Sequence, residues 1–311
     1  MQIFRNVFRD EIADFYVQTI GFFDGVHAGH RFLLGEVRKE AEKRGLKSMA
    51  VTFGEPPAVV VRPNNVPPLL TSTRQKLRLI EECGIDATAI LDFTPQLAKM
   101  TAHDFMRDIL CDRLNGKALL IGYDHHFGHA PTDNFSDYRR YGAEMGLEVL
   151  PAPEFSAPDG AHVSSTSIRR LLLDGDVEQA ARLLTREYSV EGMVEHGDGI
   201  GRRMGFPTAN IRPQEPRQLL PAAGVYAVKV SIDACDYAGM LYIGTRPTFA
   251  NSQERRMEVN ILDFSGDIYG RTLTVTFLRR LRGEERFSSP KALEEQLQKD
   301  RETVRRIVRL Q

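Results

Sequence analysis

Gly21-Phe22-Phe23-Asp24-Gly25-Val26-His27-Ala28-Gly29-His30 is the stretch on which the fold turns. Residues 14–19, just before it, read as an apolar strand. From His30 the pattern becomes helical, with Leu33, Leu34, Val37 and Ala41 on one face and a stop at Gly45. His27 and His30 lie three apart, so at a helix start they share one face. Free backbone N–H groups and the helix dipole favour anionic phosphate there. Gly25 and Gly29 allow close backbone approach. By itself an H-x-x-H pair reads as a glycine-rich turn with two surface histidines. At a strand-to-helix turn the same pair also suits holding the phosphates of a nucleotide.

Working outward, the strand–helix rhythm repeats. Residues 48–53 form a short apolar strand, and Ser72 with Gln75 fits a capping box ahead of Leu77 and Ile80. A strand over 87–93 follows. Thr101 caps a helix carrying Phe105, Ile109 and Leu114, and 118–121 is nearly all apolar. A helix over 136–145 and a strand over 147–150 complete the series. Strands alternating with helices predict a parallel sheet covered on both faces. Ligands in such sheets bind beyond the carboxyl ends of the strands. The decapeptide and the loop 122–128 both occupy such ends.

Two short helices are expected around 168–173 and 177–184. After about residue 188 the rhythm changes to five or six strands joined by Gly/Pro/Asp turns, which predicts an antiparallel sheet or small barrel. A last helix starts at Ser289-Pro290 with Leu293, Leu297, Val304, Ile307 and Leu310 as its buried stripe. The domain boundary falls near 185, giving domains 1–185 and 186–311.

Composition bounds the partners. Lys and Arg total 41 against 42 Asp and Glu, so nothing attracts nucleic acid in bulk. Cys83, Cys111 and Cys235 are far apart and form no C-x-x-C pair, which argues for a reducing compartment and against a thiolate cluster. No apolar run resembles a signal peptide or the roughly 20 residues of a membrane span. The expectation is a cytoplasmic enzyme of small-molecule substrates, a monomer or weak homo-oligomer, with no nucleic acid or membrane partner.

Two further segments carry chemistry. His162-Val163-Ser164-Ser165-Thr166-Ser167-Ile168-Arg169 puts hydroxyls and a guanidinium at a helix start, which can grip phosphate or simply cap the helix. Residues 192–205 hold five glycines, Gly201 and Gly205 among them, and lead into Pro207-Thr208-Ala209-Asn210. This is not a Walker A loop, since G-x-x-x-x-G-K-[ST] is absent. A hydroxyl and an amide two residues apart offer hard oxygen ligands for Mg²⁺; a polar turn between strands is the plainer reading.

The decapeptide resembles the GxFDGxHxGH signature of the HxGH nucleotidyltransferases. The whole chain resembles the bacterial bifunctional riboflavin kinase/FAD synthetase family. The resemblance implies a Rossmann-like N-terminal α/β domain and a six-stranded riboflavin kinase β-barrel with a terminal helix. It implies phosphorylation of riboflavin to FMN, then transfer of AMP from ATP to FMN, giving FAD and pyrophosphate, with Mg²⁺ and no adenylated enzyme. In the first module it assigns His27 and His30 to ATP phosphates and the transition state. Phe23 and Asp24 belong to the motif, and Gly21 and Phe22 are strand-end backbone beside the nucleotide. Ser164, Ser165, Thr166 and Arg169 would close over ATP phosphates. Asp124, Phe127 and Gly128 match a loop near adenine, ribose and flavin, in which His125 replaces a phenylalanine and 129–134 replace a basic, glycine-rich continuation.

His125, His126 and His129 could alternatively bind Zn²⁺. Residues 52–57 resemble a flavin-lining segment and equally suit a rigid strand exit. In the second module the resemblance assigns Thr208 and Asn210 to Mg²⁺ and Glu258 to deprotonation of the riboflavin 5′-hydroxyl. Arg279, Arg282, Glu284 and Phe287 would support the flavin end. Asn260 stands where the family commonly has histidine. An alternative reading keeps the kinase and gives the N-terminal module a weakened activity or another acceptor.

Overall fold

The computed structural model describes residues 1–122, 127–128, 133–157, 160–196, 205–233, 235–247 and 253–309. They pack as two compact units, Met1–Val163 and Ser164–Gln311.

The first unit holds a six-stranded sheet, all parallel, in the order β1-β4-β3-β2-β5-β6. The strands are β1 (Gln2–Phe4), β2 (Tyr16–Ile20), β3 (Lys47–Phe53), β4 (Ala87–Leu91), β5 (Gly116–Ile121) and β6 (Glu148–Pro151). All five residues of β2 and of β4 are buried, as expected of strands covered on both faces. β1 was not expected; three residues are too short for a periodicity to show. The strand order reverses on either side of β2, which pairs with β3 on one edge and β5 on the other. That is a topological switch point, and it brings the decapeptide and the 122–128 loop to neighbouring strand ends.

Helix α1 (Ala28–Arg44) ends at Gly45 in the left-handed conformation, as the sequence predicts. α2 (Ala58–Val61) is a single turn, and α3 (Thr73–Glu82) carries the Ser72/Gln75 capping box in full. α4 (Ala102–Asp104), capped by Thr101, continues as a π-helical segment over Phe105–Cys111. The expected helix is therefore present but wider than α. Gln18, wholly buried in β2, donates to the carbonyls of Leu110 (3.3 Å) and Leu114 (2.9 Å) at its end. α5 (Phe135–Met145) follows.

The second unit opens with α6 (Ser165–Asp174) and α7 (Val177–Leu184). They dock on the barrel through Ala222 N–H to Leu172 O (2.9 Å), Arg280 Nη1–H to Asp174 O (3.1 Å) and the Arg279–Glu178 ion pair (3.0 Å). Six antiparallel strands close a barrel in the order β10-β11-β8-β7-β12-β9. They are β7 (Ser189–Glu195), β8 (Ala209–Pro213), β9 (Gly224–Ile232), β10 (Cys235–Pro247), β11 (Gln253–Ile261) and β12 (Thr272–Arg282). The Pro207-Thr208-Ala209-Asn210 motif runs straight into β8. Val194, Ile211, Met257 and Ile243 fill the barrel in register.

α8 (Pro290–Arg309) is capped by Ser289, whose Oγ accepts from Ala292 N–H at 3.1 Å. Its Leu297, Val304, Ile307 and Val308 pack on Val225, Ala227 and Met240 outside the barrel. Leu310 lies outside the described residues.

Candidate active sites

The first site is built at the ends of β2 and β3. Beyond Ile20 the backbone turns through Phe23 (φ 54°), Gly25 (φ 81°) and Val26 (φ 39°), all left-handed. Such a φ costs a side-chain-bearing residue on the order of 1 kcal/mol or more. Phe23 and Val26 are nonetheless held there, 2 % and 0 % exposed. Gly21 leaves room for the Phe23 ring: a Cβ there would meet it at 2.9 Å. Asp24 is also buried. Its carboxylate accepts from Leu70 N–H (2.9 and 3.0 Å), Thr71 N–H (3.1 Å) and Thr71 Oγ1–H (3.3 Å), while Gly25 N–H donates to Thr71 Oγ1 (3.1 Å). Asp24 therefore clamps the turn to the segment that leads into α3.

That clamp delivers His27 to the N-cap of α1. Its Nδ1 accepts from the His30 backbone N–H at 3.4 Å, a long bond. The two imidazoles stack with centroids 3.6 Å apart and planes 17° apart, and Phe23 meets His30 edge-on at 5.3 Å. No acidic residue lies in the first turn of α1, so nothing there opposes an anion. Behind the turn, Lys76 Nζ donates to the carbonyls of Phe53 (2.7 Å) and Phe22 (3.1 Å) and sits 4.2 Å from the Phe22 ring centroid. Burial holds its pKa down, to about 8, against the opposing pull of Asp24 and Glu55.

Of the 122–128 loop, Phe127 and Gly128 are described; Asp124, His125 and His126 lie outside the described residues, as does His129. Phe127 stacks on Tyr138 (4.6 Å, 9°), and its carbonyl accepts from the Tyr138 hydroxyl at 3.2 Å. Gly128 (φ 90°) leaves no space for a Cβ, which would fall 2.6 Å from Ala102 N. In the second unit, Ser164 caps α6 in a capping box with Ser167. Ser165 and Arg169 are half-buried and Thr166 is exposed. Among the described residues no group of three or more His, Cys, Asp or Glu could hold a metal.

The second site lies on the outer face of the barrel. Glu258 on β11 is register-paired with Asn210 on β8 and with Tyr242 on β10. Directly paired residues share a face, so the three form one row, alternating with the barrel-filling Met257 and Val259. Glu284 accepts from the Tyr242 hydroxyl at 2.7 Å. Burial first, then Glu284 and Glu258, push that phenol up to about 12, so it keeps its proton. Thr208 is exposed just before β8 and Asn210 follows two residues on. Ahead of them Phe206 is 3 % exposed, and Asn260 Nδ2–H donates to Pro207 O at 2.7 Å. Gly205 is left-handed (φ 76°), while Gly201 lies outside the described residues. Arg282 is engaged by Asp300 of α8 (2.9 Å) and lies over the Phe287 ring.

The comparisons agree with this division. A FAD synthetase family model matches residues 10–167, and a riboflavin kinase model matches 184–308. A bifunctional riboflavin kinase/FMN adenylyltransferase of Escherichia coli (strain K12) is 38% identical over 290 residues, 93% of this chain and 91% of the relative. The same-named protein of Pseudomonas fluorescens is 39% identical over 284 residues, 91% of this chain and 90% of the relative. The chain belongs to the bifunctional riboflavin kinase/FMN adenylyltransferase family. A crystal structure described as a macrolide-efflux protein from Streptococcus pneumoniae has the same fold, with TM-score 0.88, 33% identity and coverage of 98% of this chain and 99% of that one. Among the described residues of this family member, no helix is long and apolar enough to cross a membrane.

Within that family frame, the structure adds residues that sequence reasoning passed over. Lys76 sits on a helix whose apolar face was read from Leu77 and Ile80, and a lysine beside them signals solvent. Thr71, Tyr242 and Asp300 gain their importance from partners distant in sequence. Asn260 was noted only as a departure from histidine; its buried amide holds the carbonyl at the head of the Pro207-Thr208-Ala209-Asn210 motif.

Proposed function

We propose that the chain phosphorylates riboflavin at the barrel and adenylates the resulting FMN at the parallel-sheet site, with ATP as donor in both reactions. The division of labour is residues 1–185 for adenylyl transfer and 186–311 for the kinase. The observation that carries the reading is the joint presence, in one chain, of a histidine-capped helix at a switch point and the Asn210–Glu258 pair beside the motif.

At the barrel, Glu258 takes the proton from the riboflavin 5′-hydroxyl as that oxygen attacks the γ-phosphorus of ATP and ADP departs. Thr208 and Asn210 fit Mg²⁺: a hydroxyl and an amide oxygen stand two residues apart at the start of β8, and Asn260 fixes the backbone ahead of them. Mg²⁺ held there would neutralise charge on the phosphates. Gly205 and Pro207 are assigned to ATP, as is Gly201 outside the described residues, and Arg282, fixed by Asp300, supports the flavin end.

At the sheet, a phosphate oxygen of FMN attacks the α-phosphorus of ATP and pyrophosphate leaves. FMN phosphate is already anionic near neutral pH, so no base is needed; the obstacle is the meeting of two anions. The α1 N-terminus and the imidazoles of His27 and His30 stabilise the charge that develops. Gly21, Phe22, Phe23, Asp24 and Gly25 shape the turn. By the family resemblance, Phe127 and Gly128, with Asp124 outside the described residues, are assigned to the adenine and flavin side, and Ser164, Ser165, Thr166 and Arg169 to ATP phosphate. The balanced charge and separated free cysteines support a cytoplasmic enzyme, monomeric or weakly self-associating, without nucleic acid or membrane partner. Incubation of the full chain with riboflavin, ATP and Mg²⁺ is expected to yield FMN and then FAD. Accumulation of FMN without FAD at high ATP would leave only the kinase half standing.

A further inference from the structure

The parallel ladder between β2 and β3 stops just where the site begins. Its last register pair is Ile20 with Val51, and Gly21 N–H still donates to Val51 O at 3.0 Å. Beyond that pair the register ends, and Lys76 joins the two strand ends. It reaches from α3 to the carbonyls of Phe22, two residues past β2, and of Phe53, the last residue of β3. Thr52 Oγ1–H donates to the same Phe22 carbonyl at 3.1 Å. An ammonium group has three donors, and two of them join these strand ends; the Phe22 ring face lies against the charge.

Burying a lysine here costs more than burying a methionine of similar length, since a charge must leave water. The carboxylates that favour the charge are Asp24 on the turn after β2 and Glu55 after β3. Asp24 is already committed to the backbone of Leu70 and Thr71. The ammonium's hydrogen bonds to the Phe22 and Phe53 carbonyls make the position of the strand ends the feature it serves. Phe22 is the residue immediately before the left-handed Phe23, from which the backbone runs to His27 and His30.

We propose that Lys76 is a positioning residue for adenylyl transfer. Its protonated Nζ ties the Phe22 and Phe53 carbonyls together and so fixes the turn that delivers His27 and His30, and it keeps one positive charge behind the phosphate site. The proposal rests on the N-terminal unit being the adenylyltransferase. Lys76 does not touch the reacting atoms.

The test uses the full chain as wild type, Lys76→Met and Lys76→Arg. FAD formation from FMN, ATP and Mg²⁺ is followed from pH 6.5 to 10, and FMN formation from riboflavin is measured in the same preparations. Wild type is expected to lose FAD formation as pH rises through about 8, the value to which burial lowers Lys76. Lys76→Met is expected to show at least tenfold lower kcat at pH 7, no alkaline fall, and FMN formation within twofold of wild type. Lys76→Arg is expected to keep most of the rate and to move the alkaline fall upward, because a guanidinium stays protonated.

FAD formation by Lys76→Met within threefold of wild type overturns the proposal. So does a wild-type rate that is flat from pH 7 to 9.5, or an alkaline fall left in place by Lys76→Arg. If Lys76→Met loses both reactions through misfolding, the last two measurements decide. Wild type that makes no FAD at any pH refutes the adenylyltransferase reading itself, a different result from any of these.

Discussion

Asn260 and Pro207, far apart in sequence, meet at 2.7 Å, where the side-chain amide of one donates to the backbone carbonyl of the other. The bond crosses from β11 to the residue just ahead of Thr208. Removing the donor costs the net worth of the hydrogen bond, about 0.5–1.5 kcal/mol, since Pro207 is exposed and its carbonyl can turn to water. Asn260→Ala is expected to lower kcat/KM for FMN formation by up to roughly tenfold, from that loss, through a raised KM for ATP. Asn260→His, which keeps one N–H donor, should lose less. Steady-state kinetics of the kinase reaction, with FAD formation from supplied FMN as internal control, check both.

The two sites share no catalytic side chain, so single changes should separate the reactions. His30→Ala is expected to lower FAD formation by about 10²-fold, the scale of losing a preorganised donor, and to spare FMN formation. Glu258→Gln should lower FMN formation by about 10²-fold or more, the scale of a general base, and spare FAD formation when FMN is supplied. Product quantification by chromatography distinguishes the two. Equal loss of both reactions in either variant contradicts separate sites.

Asp24 is expected to act on stability more than on chemistry. Asp24→Ala removes the acceptor of the Leu70 and Thr71 N–H groups and should destabilise the N-terminal unit by roughly 3 kcal/mol. Asp24→Asn keeps one oxygen and should cost less. Urea denaturation of the full chain, read beside retained FMN formation, measures the effect; an unchanged midpoint for Asp24→Ala would show that the clamp is dispensable.

Lys76 gives stability and activity opposite pH slopes. Its folded pKa, about 8, lies below its ordinary 10.5, so between these values the unfolded chain holds a proton that the folded chain has released. Stability from this group therefore rises with pH across that window, and the burial cost is full below it. The melting temperature of wild type, relative to Lys76→Met, should climb from pH 8 to 10 while FAD formation falls. A constant difference between the two proteins contradicts the lowered pKa.

What could be read from sequence was local. The Ser72/Gln75 box, the Gly45 stop and the Thr101 cap each lie within a few residues of their partners, and all three form. The alternation of strand and helix carried the parallel sheet, and the strand-rich tail carried the barrel. The switch point was half legible: strand ends were visible, but their adjacency depends on β2 lying between β3 and β5. The π-helical turn at 105–111 was not legible, because Phe105, Ile109 and Leu114 suit an ordinary helix and the buried Gln18 that serves its end comes from β2. The row Asn210–Glu258–Tyr242 is a matter of register across three strands, and short-range patterns carry no register.

The cap at the start of α1 also fixes the tautomer of a ring. A backbone N–H can donate only to a lone pair, so His27 Nδ1, which accepts from His30, is the unprotonated nitrogen, and the neutral ring carries its proton on Nε2. In the proposed adenylyltransferase site His27 would turn its Nε2–H, not Nδ1, toward phosphate, and the first bond of the helix selects which nitrogen bears the proton.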